Sequence, residues 1–172
     1  MHFAEVFETS FWIRLALATF CGAAIGLERQ VKGKPAGVRT SALICLGSAT
    51  FVRMGSYLEG PSGDPARLLG QVIVGVGFLG GGVILSRGET VHGMTSAAVI
   101  WILAAIGAAA GLDLYGVAIA ITLVTGAILA VMSILERLFS VLRRGVHAVT
   151  PQKHDLPVAS HTSSDRMDTI ED

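Results

Sequence analysis

Between Arg67 and Glu136 the chain is charged only at Arg87, Glu89 and Asp113, and nearly every other position is apolar or glycine. The stretches 68–86, 90–112 and 114–135 each run to about 20 residues, the length a helix needs to cross the hydrocarbon core of a bilayer. Two earlier stretches are less clean: Phe11–Leu27 contains Arg14, and Thr40–Leu58 contains Arg53. Each keeps a core free of charge, over 15–27 and 40–52, that reaches one end of the helix. An arginine near the end of a span snorkels to the headgroups, well short of the roughly 2.5–3.5 kcal/mol of the helix centre. The pattern predicts five helices, at about 10–27, 40–58, 66–85, 94–111 and 114–135, and hence an all-α integral membrane bundle.

Charge placement predicts direction. Arg29, Lys32, Lys34 and Arg39 fall in the first connection, Arg87 in the third, and Arg137, Arg143, Arg144, Lys153 and Arg166 after the last span. The other side carries Arg53 and Arg67, with Arg14 near its surface, among Glu5, Glu8, Glu59, Asp64 and Asp113. The positive-inside rule puts the N-terminus outside and the C-terminus in the cytoplasm. The expected organisation is an outer segment 1–9, a membrane domain 10–145 and a disordered cytoplasmic tail 146–172, the tail being rich in Ser, Thr, Pro and mixed charge without apolar periodicity.

Composition agrees, with 52% hydrophobic and 15% charged residues, against roughly 25% charged in soluble domains. Lys plus Arg and Asp plus Glu number 13 each, which gives no reason to expect a nucleic-acid partner. Cys21 and Cys45 lie in apolar stretches without metal or redox spacing, and read as buried free thiols. The residues before the first span include Glu5 and Glu8 but no Lys or Arg, so a secretory signal peptide is not expected.

Glycine spacing suggests how the helices meet. Gly22–Gly26, Gly77–Gly81 and Gly107–Gly111 each follow GxxxG, which removes two side chains from one helix face so that backbones approach. Internal packing is the expected use, and a docking face for another membrane protein or a further copy is the other. Gly75-Val76-Gly77-Phe78-Leu79-Gly80 also spells GxGxxG. It lies inside an apolar span without the strand and the later acid that dinucleotide binding requires, and no cofactor is expected.

Nothing along the chain forms a catalytic set, and an enzyme is not expected. Histidines fall outside the spans, and the in-span Ser and Thr residues, Ser96 among them, default to backbone or cross-helix hydrogen bonds. The spans carry no Asp or Glu at mid-depth, which counts against ion transport; whether a metal binds is left open. A path for a cation would need Glu28, Gln71, Glu89 and Asp113 to line it. Glu28, Arg29 and Arg39 flank the turn-rich connection Gly33–Gly37 and form a polar rim suited to ion pairing or partner binding. Arg14 and Arg53 each lie fourteen residues from the edges marked by Glu28 and Arg39, at matching depth in antiparallel neighbours. One of them is expected to contact Asp113 or Glu59.

Three ordered blocks resemble the MgtC/SapB family. The first is Gly22-Ala23-Ala24-Ile25-Gly26-Leu27-Glu28-Arg29 followed by Pro35-Ala36-Gly37-Val38-Arg39-Thr40. The second is Gly77-Phe78-Leu79-Gly80-Gly81-Gly82-Val83-Ile84-Leu85, and the third Gly93-Met94-Thr95-Ser96-Ala97-Ala98 with Trp101, Ala104-Ala105-Ile106-Gly107 and Gly111. The resemblance implies a bacterial inner-membrane protein of five helices, linked to growth in low magnesium and to survival inside macrophages. It also implies a regulator acting on another membrane protein such as the F-type ATP synthase, with magnesium transport as the alternative. Two departures stand out. The 27 residues from Val146 onward are too few for the ACT-like domain of longer members, and Thr95 stands where some virulence-associated members have asparagine. Glu28, Arg29, Arg39 and Thr95 are the expected partner-binding residues.

Overall fold

The computed structural model describes residues 8–59, 64–87 and 90–138. The chain divides into two units, Met1–Leu135 and Glu136–Asp172. The first holds the bundle; of the second only the last turn of α5 is described, and the tail 146–172 and most of segment 1–9 lie outside the described residues. The elements are α1 (Thr9–Val31), α2 (Val38–Glu59), α3 (Pro65–Gly82), β1 (Leu85–Arg87), β2 (Thr90–His92), α4 (Met94–Gly111) and α5 (Tyr115–Leu138).

All five expected helices are present; α4 has the ends expected for it, and those of the others differ for local reasons. α1 continues past Leu27 to Val31, because Glu28 to Gln30 lose nothing by staying helical at a polar edge, and basic Arg29 and Lys32 suit the negative end of the helix dipole. α3 begins at Pro65 behind Asp64, whose side chain accepts from the Ala66 N–H at 2.9 Å, an N-cap followed by proline at the first helical position. It stops at Gly82 rather than at residue 85. The Val83 and Ile84 N–H groups turn back to the Gly80 and Gly81 carbonyls at 3.3 and 3.1 Å, and the chain then leaves as a short hairpin. β1 and β2 pair antiparallel with Leu85 opposite His92. The sequence shows only a connection there, since three-residue strands are too short to appear in an apolar pattern.

α2 is the centre of the bundle. Ser41, Cys45, Ser48, Ala49 and Val52 recur at helical spacing and are buried, facing α1 on one side and α4 on the other. Its outward face carries Leu43, Phe51, Met54 and Leu58. This inversion, small and polar inside with large and apolar outside, is what a helix needs when its surroundings are hydrocarbon and its neighbours are close. It also explains why α2 is not among the three helices that, among the described residues, are long and apolar enough to cross a membrane, which are α1, α4 and Tyr115–Leu135 of α5; Ala66–Gly82 is apolar but shorter. α4 is the most enclosed of these at 61% buried, whereas α5 is 6% buried and peripheral.

Candidate functional site

The end of the bundle that holds Glu28 is built from the last turn of α1, the loop to α2 and the first turn of α4. Two left-handed residues shape the loop, Gly33 (φ 62°) and Ala36 (φ 62°). The first costs a glycine little, while the second is held against the preference of an L residue. Hydrogen bonds hold it: Lys34 N–H donates to the Arg29 carbonyl at 3.0 Å, Val38 N–H to Gln30 Oε1 at 3.2 Å, and Ser41 Oγ to the Ala36 carbonyl at 2.8 Å. Gly26 permits the close approach, since a Cβ there would stand 2.7 Å from Val38 Cα and 2.9 Å from the Gly37 carbonyl.

The expected rim residues separate into two kinds. Arg29 is 4% exposed and donates to Ser96 Oγ at 2.6 Å and to the Pro35 carbonyl at 3.4 Å. It ties α1, the loop and α4 together and presents almost nothing to a partner. Arg39 and Thr95 are exposed. Glu28 pairs with Lys32 one turn on, and its Oε2, also buried, receives no hydrogen bond among the described residues. Lys32 in turn donates to the Leu129 carbonyl of α5 at 3.2 Å. In the sequence Ser96 is one of several serines that default to backbone or cross-helix hydrogen bonds. Its arginine partner was hidden because the two lie 67 residues apart.

At the other end, Arg14 is 8% exposed. Its Nε donates to Asp113 Oδ1 and its Nη2 to Oδ2, the latter at 3.1 Å. Tyr115 Oη donates to Oδ1 at 2.6 Å. Asp113 has φ 64° and stands where glycine commonly ends a helix; Leu114 N–H returns to the Ala109 carbonyl at 2.9 Å and Asp113 N–H to that of Ala110 at 3.2 Å, the pattern that closes α4. The hydrogen bond from Arg14 holds the Asp113 carboxyl below its usual range, partial burial opposes this, and Tyr115 and the charges of Arg14 and Arg53 add to the lowering. Arg53 thus acts on Asp113 through its field while Arg14 makes the contact. The side chain of Glu59, the other expected acid, and Glu89 lie outside the described residues.

The three GxxxG pairs have different surroundings. A Cβ on Gly107 would lie 2.2 Å from the Cys45 carbonyl, one on Gly111 2.6 Å from that of Ala49, and one on Gly22 2.6 Å from that of Ser41. With Gly26 these four let α1 and α4 pack against the backbone of α2. Gly77 and Gly81 of α3 have nothing within 4 Å of a built Cβ, and the same holds for Gly70. At spacings of seven and four these three share one face of α3, and that face is open. Around it, Val74 and Phe78 are 77% and 84% exposed.

Of the residues named for a cation path, Glu28, Gln71 and Asp113 are described, and these three are not brought together. Glu28 and Asp113 sit at opposite ends of α1, and between them the bundle is filled by Ala18, Cys21, Ile25, Cys45, Leu103 and Ile106. Gln71 faces a groove between α2 and α3. Among the described residues no three His, Cys, Asp or Glu side chains gather as a metal site.

Comparison with known proteins agrees with the fold. The MgtC family model matches residues 15–138. The chain is 41% identical over 145 residues to the "Putative magnesium transporter YhiD" of Escherichia coli (strain K12), covering 80% of this chain and 66% of that protein. It is 38% identical over 138 residues to Protein MgtC of Brucella abortus (strain 2308), covering 79% and 58%. It is 46% identical over 115 residues to Protein SrpB of Synechococcus elongatus, covering 59% and 63%. The chain thus spans between 58% and 66% of the length of these relatives. No solved structure matches. The apolar helices, the ordered signature blocks and the family match lead to one assignment: this chain is a multi-pass membrane protein that belongs to the MgtC family.

Proposed function

We propose that this chain is a non-enzymatic regulator of the bacterial inner membrane, N-terminus outside, that binds another membrane protein through the open face of α3. The F-type ATP synthase is the first partner to test, and adaptation to low magnesium is the setting. The observation that carries the reading is the contrast among glycines. Four of the six GxxxG glycines close the bundle, while Gly77 and Gly81, with Gly70 beside them, offer a small-residue face that no described residue covers. In lipid, where apolar surface alone does not drive helices together, such a face is what permits a partner helix to approach. Exposed Arg39 and Thr95 add a polar contact at the Glu28 end.

The test is ATP-driven proton pumping in inverted membrane vesicles, with and without the protein. Pumping is expected to fall in its presence and to recover with Gly77→Leu/Gly81→Leu, at positions where an added Cβ meets nothing within 4 Å. Unchanged pumping removes the ATP synthase as partner. Recovery with Arg39→Ala as well would bring the polar end into the same interface.

A second reading, magnesium movement, is favoured by the buried Glu28 Oε2 that receives no hydrogen bond among the described residues, and by the name of the Escherichia coli relative. Magnesium prefers carboxylate and retained water, and Glu28 would be the first ligand. The packed interior between Glu28 and Asp113 opposes a continuous path. Magnesium flux into liposomes holding the purified chain, lost on Glu28→Gln, would establish this reading over the first.

A further inference from the structure

Between α2 and α3 lies a groove of about 710 Å³, walled by Ile44, Gly47 and Ser48 on one side and by Gln71, Gly75 and Leu79 on the other. Gly47 and Gly75 each have open space where a side chain would be. Gln71 lies in the second turn of α3, about 9 Å along its axis, flanked by Leu68, Leu69, Val72 and Ile73. The residue is exposed, and its amide forms no hydrogen bond with a described residue. An amide carries two donors and an acceptor oxygen, and the hydrocarbon of a bilayer supplies partners for neither. The groove therefore presents a polar group that calls for a partner at membrane depth, beside two glycines that leave room for a backbone.

We propose that this groove is a homodimer interface, in which α3 of a second copy lies alongside α3 and the two Gln71 amides hydrogen-bond across the axis. Copies of one chain in one membrane share an orientation. A twofold axis along the membrane normal makes the two α3 helices parallel and sets both Gln71 residues at the same depth, whatever that depth is. The amide is self-complementary, donating and accepting at once. Gly75 stands one turn further along the same face and lets the two backbones approach. A lipid chain would fill the apolar walls but leave both amides without partners. A helix of a different protein would need a polar group at a matching depth, which the second copy supplies by symmetry. The Gly70–Gly77–Gly81 face points elsewhere on α3, so the dimer goes beyond the regulator reading and does not depend on it.

The experiment uses the full chain in its native membranes. Gly75→Cys, oxidised with copper phenanthroline, is expected to give a disulfide-linked species at twice the monomer mass. Leu123→Cys on the exposed face of α5, treated in the same way, is expected to stay monomeric; the native Cys21 and Cys45 are buried. In lipid vesicles, energy transfer between differently labelled copies, followed as lipid is added, gives the association constant. Gln71→Leu is expected to lower it about tenfold, the scale of one interhelical hydrogen bond at the upper end of those measured in membranes, and Gln71→Asn, which keeps the amide, to restore most of it. Gln71 makes no hydrogen bond with a described residue, so Gln71→Leu is expected to leave the monomer intact, which circular dichroism verifies. A Gly75→Cys protein that stays monomeric, an adduct of any other mass, or wild-type association in Gln71→Leu would each overturn the proposal.

Discussion

Gly107 and Gly77 have the same sequence setting, each opening a GxxxG pair inside an apolar helix, and opposite surroundings. The missing side chain of Gly107 is filled by the backbone of α2, with the Cys45 carbonyl 2.2 Å from where a Cβ would stand, whereas that of Gly77 meets nothing within 4 Å. Spacing determines that two small residues share a face; it does not determine what the face meets. The difference follows from position in the bundle. α4 is packed against α1, α2 and α3, whereas among the described residues α3 packs mainly on α4 and, less, on α2. Glycines on a central helix become internal contacts, and the same residues on an edge helix are left over for something else.

The comparison can be broken most decisively at Gly107. Gly107→Val drives a branched side chain into the α2 backbone, and about 3 kcal/mol of stability is expected to be lost. Unfolding by sodium dodecyl sulfate reads this directly; wild-type stability would mean that the α2–α4 contact does not close the bundle. Next is the ion pair that fastens α5. Asp113→Ala leaves Arg14 buried without its carboxylate, and a loss of about 2 kcal/mol is expected, below the figure for fully buried pairs because Asp113 is partly exposed. The double variant Arg14→Leu/Asp113→Leu should recover most of it, since hydrophobic replacement of both partners removes the stranded charge.

Smaller effects sharpen the contrast. Gly22→Ala sets a methyl 2.8 Å from Cys45 Sγ and 2.6 Å from the Ser41 carbonyl, and about 1–2 kcal/mol should be lost as α1 shifts from α2. Gly77→Ala and Gly81→Ala should each change stability of the isolated chain by less than about 0.5 kcal/mol; a larger loss would mean that the α3 face is already covered. Acidification from pH 7 to pH 5 should do least. The Asp113 carboxyl titrates below its ordinary value of 3.8, so the contribution of its ion pair is complete above that range and fades only as pH falls through the lowered value. A drop in unfolding midpoint between pH 7 and pH 5 that Asp113→Asn abolishes would show that the ion pair is weaker than its geometry.

Much of the fold was legible from the sequence because hydrocarbon is an undemanding solvent to read: long apolar runs have few alternatives to helices when every backbone group must be satisfied internally. The site was less legible. Arg29 looks like a rim residue because it follows Glu28 at a polar edge, and only the fold shows it turned inward to Ser96 and the Pro35 carbonyl. Arg14 and Arg53 read as equivalent by depth; the α4–α5 turn, with Asp113 in a left-handed conformation, places the carboxylate on Arg14. The hairpin between α3 and α4 left no readable pattern, since three residues per strand carry almost no periodicity.

What the sequence determined by itself is the number of helices, their approximate ends and the family to which they belong, because these depend on runs of apolar residues and on short ordered blocks that need no knowledge of neighbours. The tertiary structure alone decided which helix is central, which glycines are filled, which arginine is buried and which face of α3 is left open. Each of those depends on what stands across a gap from a residue, and the pairing partners are far apart in the chain: Arg29 and Ser96 are separated by 67 residues, Arg14 and Asp113 by 99. A linear pattern reports the side a residue faces, and only the packed bundle reports what it meets there.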